Sequence, residues 1–286
     1  MQLVGGSFMD NKRKLAIELD PKGFNELQMC RSGPMLYNKH DIYMGGSLQK
    51  YGEFSVGEQE IFAQIVRPGN LVVEVGANIG AHTVELSRLA GPDGEVHAFE
   101  PQRIVFQALC ANLALNQCTN VFARQAAVGA QAGTISVPPL DPFVRYNFGG
   151  VSLQGVTFGE PVPLVTLDSF DLPACQLLKV DVEGMEVEVL KGSAQLIRTH
   201  RPIMYLENDR VERSEELLTM VEGFDYKAWW HFPRVFNPDN FCGDAVNIFG
   251  NIASVNILCV PKGTKMAVDG LRAVHSPQEK WDALRL

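Results

Sequence analysis

Apolar residues recur along this chain in two rhythms that take turns. From Gly57 the segment GEQEIFAQIV sets Ile61, Phe62, Ile65 and Val66 at helical spacing, and Arg67-Pro68-Gly69 stops it. LVVEV (Leu71 to Val75) follows as a short, largely apolar run, the pattern of a strand buried on both faces. A Gly-rich turn and a helical stripe through Val84, Leu86 and Leu89 complete the unit. The unit repeats in EVHAF (Glu95 to Phe99), a helix from Arg103 to Asn116, NVFARQ (Asn120 to Gln125), LLKVDV (Leu177 to Val182), a helix from Glu186 to Ile197, and PIMYLE (Pro202 to Glu207). Alternation of this kind predicts a Rossmann-like α/β domain, with a mostly parallel sheet and helices on both faces.

Three stretches break the rhythm. Residues 132–167 hold no long helix, and TISV with PVPLVTL predicts an inserted β-hairpin able to act as a flap over a site. Residues 1–50 mix Gly, Asn, Lys and Met without a sustained period, and read as a weakly ordered extension or a lid rather than a core element. Near the end DYKAWW and SVNILCVP predict two further strands, which places the regular domain at 51–261. In the remainder, 262–286, Ser276-Pro277-Gln278-Glu279 resembles the capped start of a tail helix.

Composition narrows the setting. With 286 residues, 46% hydrophobic and 20% charged, the chain has the profile of an ordinary soluble protein with one main α/β core and additions. Formal net charge is -8, and basic residues are scattered apart from Lys12, Arg13 and Lys14, so no stripe is present to neutralise a phosphate backbone. That argues against a nucleic-acid partner. The start lacks the apolar core of a signal peptide, and no run of about 18 apolar residues occurs, which argues against the membrane and for the cytoplasm. Six cysteines lie far apart without CxxC pairing and are expected as reduced, buried thiols.

Candidate chemistry begins where the strand LVVEV runs directly into Gly76-Ala77-Asn78-Ile79-Gly80. Ligands of open parallel sheets bind outside the carboxyl ends of the strands, where strand order reverses. Gly76 and Gly80 allow close backbone approach, and Asn78 can donate and accept hydrogen bonds. A dinucleotide fingerprint would need a middle glycine for the pyrophosphate, and Asn78 stands there instead. S-adenosylmethionine, which carries no phosphate, suits the loop better, with Glu74 placed to act directly or indirectly on its cationic amino end. Glu100, about twenty residues past the turn, closes the next strand, where a carboxylate can accept both ribose hydroxyls. A lone strand-end Glu is also an ordinary neighbour of a helix cap. Gln125 and Ala126, ending the third strand, are candidates for the adenine edge.

In LLKVDVEGMEVEVLKG, Lys179, Asp181 and Glu183 put charge at and beyond the end of an otherwise apolar strand. Such charges are costly unless paired, and either a cofactor-facing strand end or a structural ion pair accounts for them. Asp181 is the first candidate to orient or deprotonate an acceptor hydroxyl, Lys179 a partner for a carboxylate, and His231 a second candidate base. A partly buried, satisfied histidine is the plainer reading of His231, in the aromatic stretch 229–241 expected as a loop over the acceptor. Asp181, Glu207 and Asn208 form an all-oxygen set that could hold a divalent cation such as magnesium.

Taken in order, YGEFS at Tyr51 to Ser55, VVEVGANIGAHTVELS, VHAFEP, NFGGVSL at Asn147 to Leu153, VTLDSF, LLKVDVEGMEVEVLKG, YLENDR and FNPDNF resemble methyltransferases of the FkbM type. The resemblance implies a class I methyltransferase fold with a seven-stranded sheet and S-adenosylmethionine as donor. It commonly implies O-methylation of a small molecule, sugar or natural product. On it, Glu74, Gly76, Asn78 and Gly80 look like the donor loop, Glu100 the ribose contact, and Asp181 with Glu183 the acceptor-side motif. Tyr51, Ala77, His82, Thr83 and Pro101 lie in the same blocks and are further candidates for donor contact. Glu74 stands where many relatives carry Asp. Three readings stay beside this one: an N-methyltransferase for an amide or peptide, a non-catalytic S-adenosylmethionine-binding protein, and a nicotinamide-dependent oxidoreductase. A homo-oligomer is compatible with all of them.

Overall fold

The order of elements follows the rhythm of the sequence, with additions at both ends. A computed structural model describes residues 16, 17 and 19–283; the basic triplet at 12–14 lies outside the described residues. Strands β1 (Ala16–Ile17), β2 (Asn25–Cys30) and β3 (Gly33–Asn38) form an antiparallel sheet, and helices α1 (Met44–Tyr51) and α2 (Val56–Ile65) follow. The central run is β4 (Leu71–Val75), α3 (Thr83–Ala90), β5 (Glu95–Phe99), α4 (Arg103–Leu115) and β6 (Val121–Arg124). A small sheet of β7 (Ala127–Val128), β8 (Gly133–Val137) and β9 (Glu160–Val165) interrupts it, with β8 and β9 pairing as the expected antiparallel hairpin. The chain continues through β10 (Leu177–Val180), α5 (Glu186–Lys191), α6 (Ala194–His200), β11 (Ile203–Glu207), α7 (Val211–Gly223), β12 (Tyr226–His231), β13 (Asn256–Pro261) and β14 (Arg272–Ala273).

The main sheet runs β14-β12-β13-β11-β10-β4-β5-β6. Six of its strands are parallel, while β13 lies antiparallel between β11 and β12. This is the Rossmann-like class I architecture, with one strand more than the expected seven. The eighth, β14, pairs two residues with Trp229 and Trp230 at the edge. So short a strand leaves no period in the sequence.

Strand order reverses between β4 and β10, from which the chain proceeds outward in opposite directions. Near these strand ends the two faces differ. One face stays apolar through Val75, Val180, Leu206, Ile257 and Trp230, all buried. Strand alternation gives the other face Glu74, Lys179, Tyr205, Asn256 and His231, and Glu58 and His82 pack over it. A polar layer therefore crowns the α2–α3 side of the sheet.

Several expectations are corrected. The hairpin and α1 are core elements: Met35, Tyr37, Met44 and Leu48 are buried in a cluster with Val84 and Leu109. Asn112 of α4 ties them in, accepting from the Leu36 N–H at 2.6 Å and donating to the Leu36 carbonyl at 2.9 Å. Their apolar face is completed by a helix distant in sequence, which is why no local period announced it. The single helix expected over 186–197 is two, because the chain turns at Gly192, where a Cβ would lie 2.0 Å from the Gly129 carbonyl oxygen. Among the described residues the tail holds no α-helix; Val274 and Trp281 pack on the main core, and Trp230 Nε1 donates to Glu279 at 2.9 Å. Docking at the sheet edge overrides the local capping signal there. Trp229 to His231 belong to β12 rather than to a loop. Of the cysteines, Cys30, Cys175 and Cys259 are buried, Cys118 and Cys242 half-buried, and Cys110 exposed. Among the described residues no helix is long and apolar enough to cross a membrane.

Candidate active site

At the switch point β4 ends in a turn that only glycine can open. Gly76 has φ +84°, and a Cβ there would stand 1.7 Å from the Asp181 carbonyl oxygen on the neighbouring strand. The Gly76 and Ala77 N–H groups both donate to the Phe99 carbonyl at 3.0 Å. Asn78 is left-handed (φ 50°), and its N–H donates to Glu100 Oε2 at 3.0 Å, while Gln102 N–H donates to Oε1 at 2.8 Å. Glu100 thus pins the loop to the end of β5. Burial pushes its carboxyl up to about 7, and the two backbone donors oppose the rise.

Two adjoining cavities open above this loop and share Gly76, Glu100, Gly149, Asp181 and Glu183. The smaller is mainly apolar, bordered by Phe99, Pro101, Ala126, Val128, Leu153 and Met185. The larger, of about 390 Å³, is polar, and Ala77, Asn78, His82, Lys179, Glu207 and Arg210 are among its walls. The segment after β8 borders both through Asn147, Gly149, Val151 and Leu153. Gln102 Nε2 holds that segment by donating to the Phe148 carbonyl at 2.8 Å.

Charges at the end of β10 form a chain. Lys179, buried, stands 3.3 Å from Asp181 Oδ2 and 3.6 Å from Glu74 Oε1. Burial alone would lower its pKa, but Asp181, Glu74 and Glu58 outweigh it and the ammonium is held above its ordinary range. Glu183, left-handed at φ 55°, pairs with Arg210, and burial with the nearby Asp181 charge raises its carboxyl to about 8. Asp181, Glu183 and Glu207 bring carboxylate oxygens within 4.8 Å of one another. Burial, then Asp181, pushes Glu207 well above the ordinary carboxylate range.

Of the residues singled out in sequence, Gly76, Ala77, Asn78, His82, Glu100, Pro101, Ala126, Lys179, Asp181, Glu183 and Glu207 border the crevice. Seven others do not. Glu74 is fully buried behind the loop, where it accepts from Thr83 Oγ1 at 2.6 Å and pairs with Lys179, so it borders neither cavity itself. Gly80 serves packing, since a Cβ would lie 2.7 Å from Leu109 Cδ1. Tyr51 is buried in α1 and its hydroxyl bridges the loop 246–248, donating to the Val246 carbonyl and accepting from Ile248 N–H. A tight turn from Arg124 to Ala126 leaves Gln125 outside both cavities. Alternation along β11 separates Asn208 from Glu207, and Glu183 takes its place in the acidic cluster. His231 lies in β12, its Nδ1 2.7 Å from the Tyr205 hydroxyl, and does not reach the crevice.

Sequence reasoning passed over Glu58, Tyr43, Phe54 and Arg210, which also border the larger cavity. Arg210 had a signal, being a charged residue just beyond a strand end in YLENDR. Phe54 had one as well, standing in the YGEFS block, whereas Tyr43 had none, because it arrives from the segment that looked irregular.

A sequence profile described as the Methyltransferase FkbM domain matches residues 74–232. The hexuronic acid methyltransferase AglP of Haloferax volcanii is 30% identical over 147 residues, 50% of this chain and 59% of that protein. The 31-O-demethyl-FK506 methyltransferase FkbM of Streptomyces tacrolimicus is 41% identical over 68 residues, 24% of this chain and 25% of that one. The alignments span about six tenths of the first curated relatives. Among solved structures, a methyltransferase FkbM from Methylobacillus flagellatus aligns with a TM-score of 0.45 at 18% identity, covering 71% of this chain and 50% of that one.

Proposed function

The chain belongs to the FkbM methyltransferase family, and from that premise we propose that it transfers the methyl group of S-adenosylmethionine to a hydroxyl of a small molecule, sugar or natural product. The observation that carries the reading is a mainly apolar and a polar cavity meeting at Glu100 and Asp181, at the switch point of the sheet. Adenine fits the pocket of Phe99, Ala126, Leu153 and Met185, with Glu100 at the ribose hydroxyls. The amino-acid end follows the loop from Gly76 to Asn78, and Asp181 stands where donor and acceptor meet. Six acidic side chains, Glu58, Glu100, Asp181, Glu183, Glu207 and Asp209, border the larger cavity against Lys179, Arg210 and His82, and burial holds Glu100, Glu183 and Glu207 toward the neutral form. Such a field suits a sulfonium and an ammonium and disfavours the pyrophosphate of a nicotinamide cofactor.

Methyl transfer is an in-line displacement, so the chain's task is to align the acceptor oxygen opposite sulfur and to exclude water. Alignment of this kind contributes about 7–11 kcal/mol. The reading assigns no step to a divalent cation. Asp181 and Glu183 are already engaged by Lys179 and Arg210, and burial favours the neutral form of Glu207. Excess chelator is expected to leave turnover within about twofold.

The test is release of S-adenosylhomocysteine with a panel of sugars, uronic acids and hydroxylated natural products, beside calorimetric titration of that product. Asp181→Asn is expected to cut turnover by roughly 10²-fold or more while product affinity stays within about threefold. Glu100→Ala is expected to weaken that affinity at least about tenfold. Equal losses of affinity in the two variants, or methylation confined to amide nitrogen, would contradict the assignment.

A further inference from the structure

His82 ends the donor loop at the start of α3 and borders the larger cavity. Its Nε2 lies 3.3 Å from Glu58 Oε2, and both side chains are about 5% exposed. The other nitrogen, Nδ1, is buried without a hydrogen-bond partner among the described residues. A buried polar atom left unmatched costs about 1–3 kcal/mol, a state usually tolerated only where a ligand or a reaction makes use of it.

Glu58 is held for one purpose. Ser55-Val56-Gly57-Glu58 has the spacing of a capping box, in which the serine would bond the helix backbone. Here the Ser55 hydroxyl makes no cap bond and donates to Glu58 Oε1 at 2.8 Å, with Ser55 itself at φ 45°. Asn256 Nδ2 approaches the same oxygen at 3.4 Å, which leaves Oε2 for His82. Burial would raise the Glu58 carboxyl, but the bond to His82 and the nearby Lys179 charge hold it below the ordinary carboxylate range.

We propose that His82 is the catalytic base of the methyl transfer and that Glu58 is its positioning residue. This rests on the hydroxyl-acceptor reading above. The acceptor oxygen forms its bond to the methyl carbon as the carbon–sulfur bond breaks, and the electron pair of that bond remains on sulfur. The hydroxyl proton passes to the free imidazole nitrogen, and the imidazolium is neutralised by Glu58 until the proton leaves to solvent. Imidazole can take a proton on one nitrogen while the other is held, and a carboxylate on its far nitrogen fixes its tautomer. Asp181, engaged with Lys179, is left to orient the acceptor. The charged and titratable groups facing the dyad are Glu74 on β4, Lys179 on β10, Tyr205 on β11 and, beyond Tyr205, His231 on β12, with the rings of Phe54 and Phe62 packed against His82.

The experiment compares wild type, His82→Asn, His82→Gln and Glu58→Gln across pH on the same acceptor panel, with product affinity measured for each. In the wild type kcat is expected to rise with pH through one ionisation. Both His82 variants should lose roughly 10²–10⁴-fold in kcat and the ionisation with it. Glu58→Gln should lose about tenfold or more and move the limb to lower pH, since it no longer stabilises the imidazolium. A His82 variant within about threefold of wild-type kcat, or one that keeps the wild-type limb, overturns the dyad. So does loss of product affinity in parallel with kcat. A wild type silent on every hydroxyl acceptor instead overturns the reading on which the dyad rests.

Discussion

At Gly76 the chain leaves no room for a methyl group, with Asp181 O 1.7 Å from where it would sit and φ at +84°. Gly76→Ala adds left-handed strain to a steric clash and is expected to cost about 2–4 kcal/mol, read from denaturant unfolding, and to abolish product binding. Glu100 carries a different consequence. Its carboxyl is raised to about 7, so in the donor-free protein its contribution to stability is full below the ordinary carboxylate range and is lost as pH rises through 7. Ribose hydroxyls donate to the ionised form, so donor binding pulls that pKa back down. Affinity for S-adenosylhomocysteine should therefore tighten as pH rises from 6 to 8 on titration calorimetry, by up to about tenfold, and Glu100→Gln should flatten the dependence.

Among the elements, the N-terminal hairpin and α1 show how far appearance in sequence departs from role. Leu48 is 2% exposed and packs with Met35, Val84 and Leu109. Leu48→Ala is expected to destabilise the whole domain by about 2–5 kcal/mol in a single unfolding transition, as a weakly attached lid would not. The same layer places Tyr43 and Met44 on the larger cavity, so a lost core contact should also raise the acceptor KM. The segment after β8 is held by Gln102 to the Phe148 carbonyl, by Asn38 to the Pro142 carbonyl and by backbone bonds of Tyr146 with His40 and Ile42. Gln102→Ala is expected to raise KM for donor and acceptor several-fold, roughly 3–10, with little change in melting temperature.

For the molecule as a whole, a formal charge of -8 and a carboxylate-lined crevice set what can approach it. A gel-shift titration with single-stranded or duplex RNA at physiological salt is expected to show no complex below about 10 μM, since a net charge of -8 opposes a phosphate backbone. Cations and neutral polyols meet no such barrier. The acceptor field is instead shaped by Lys179 and Arg210, each already paired with a carboxylate on the crevice wall.

The amino-acid sequence by itself determined the α/β alternation, the hairpin insertion, the glycine turn after β4 and the strand-end positions of Glu100 and Asp181. Those features rest on local periodicity and on backbone constraints within a few residues, which a linear pattern records. Only the tertiary structure decided which side chains meet. Tyr51 caps the loop 246–248, Tyr205 takes His231 out of the chemistry, Glu207 joins Glu183 rather than Asn208, and Glu58 turns from its own helix to His82. Each pairing joins different elements, most of them far apart in the chain, across the polar layer at the sheet's carboxyl edge. The alternation of a strand says which face a residue takes, but not what will lie opposite it once the helices have packed.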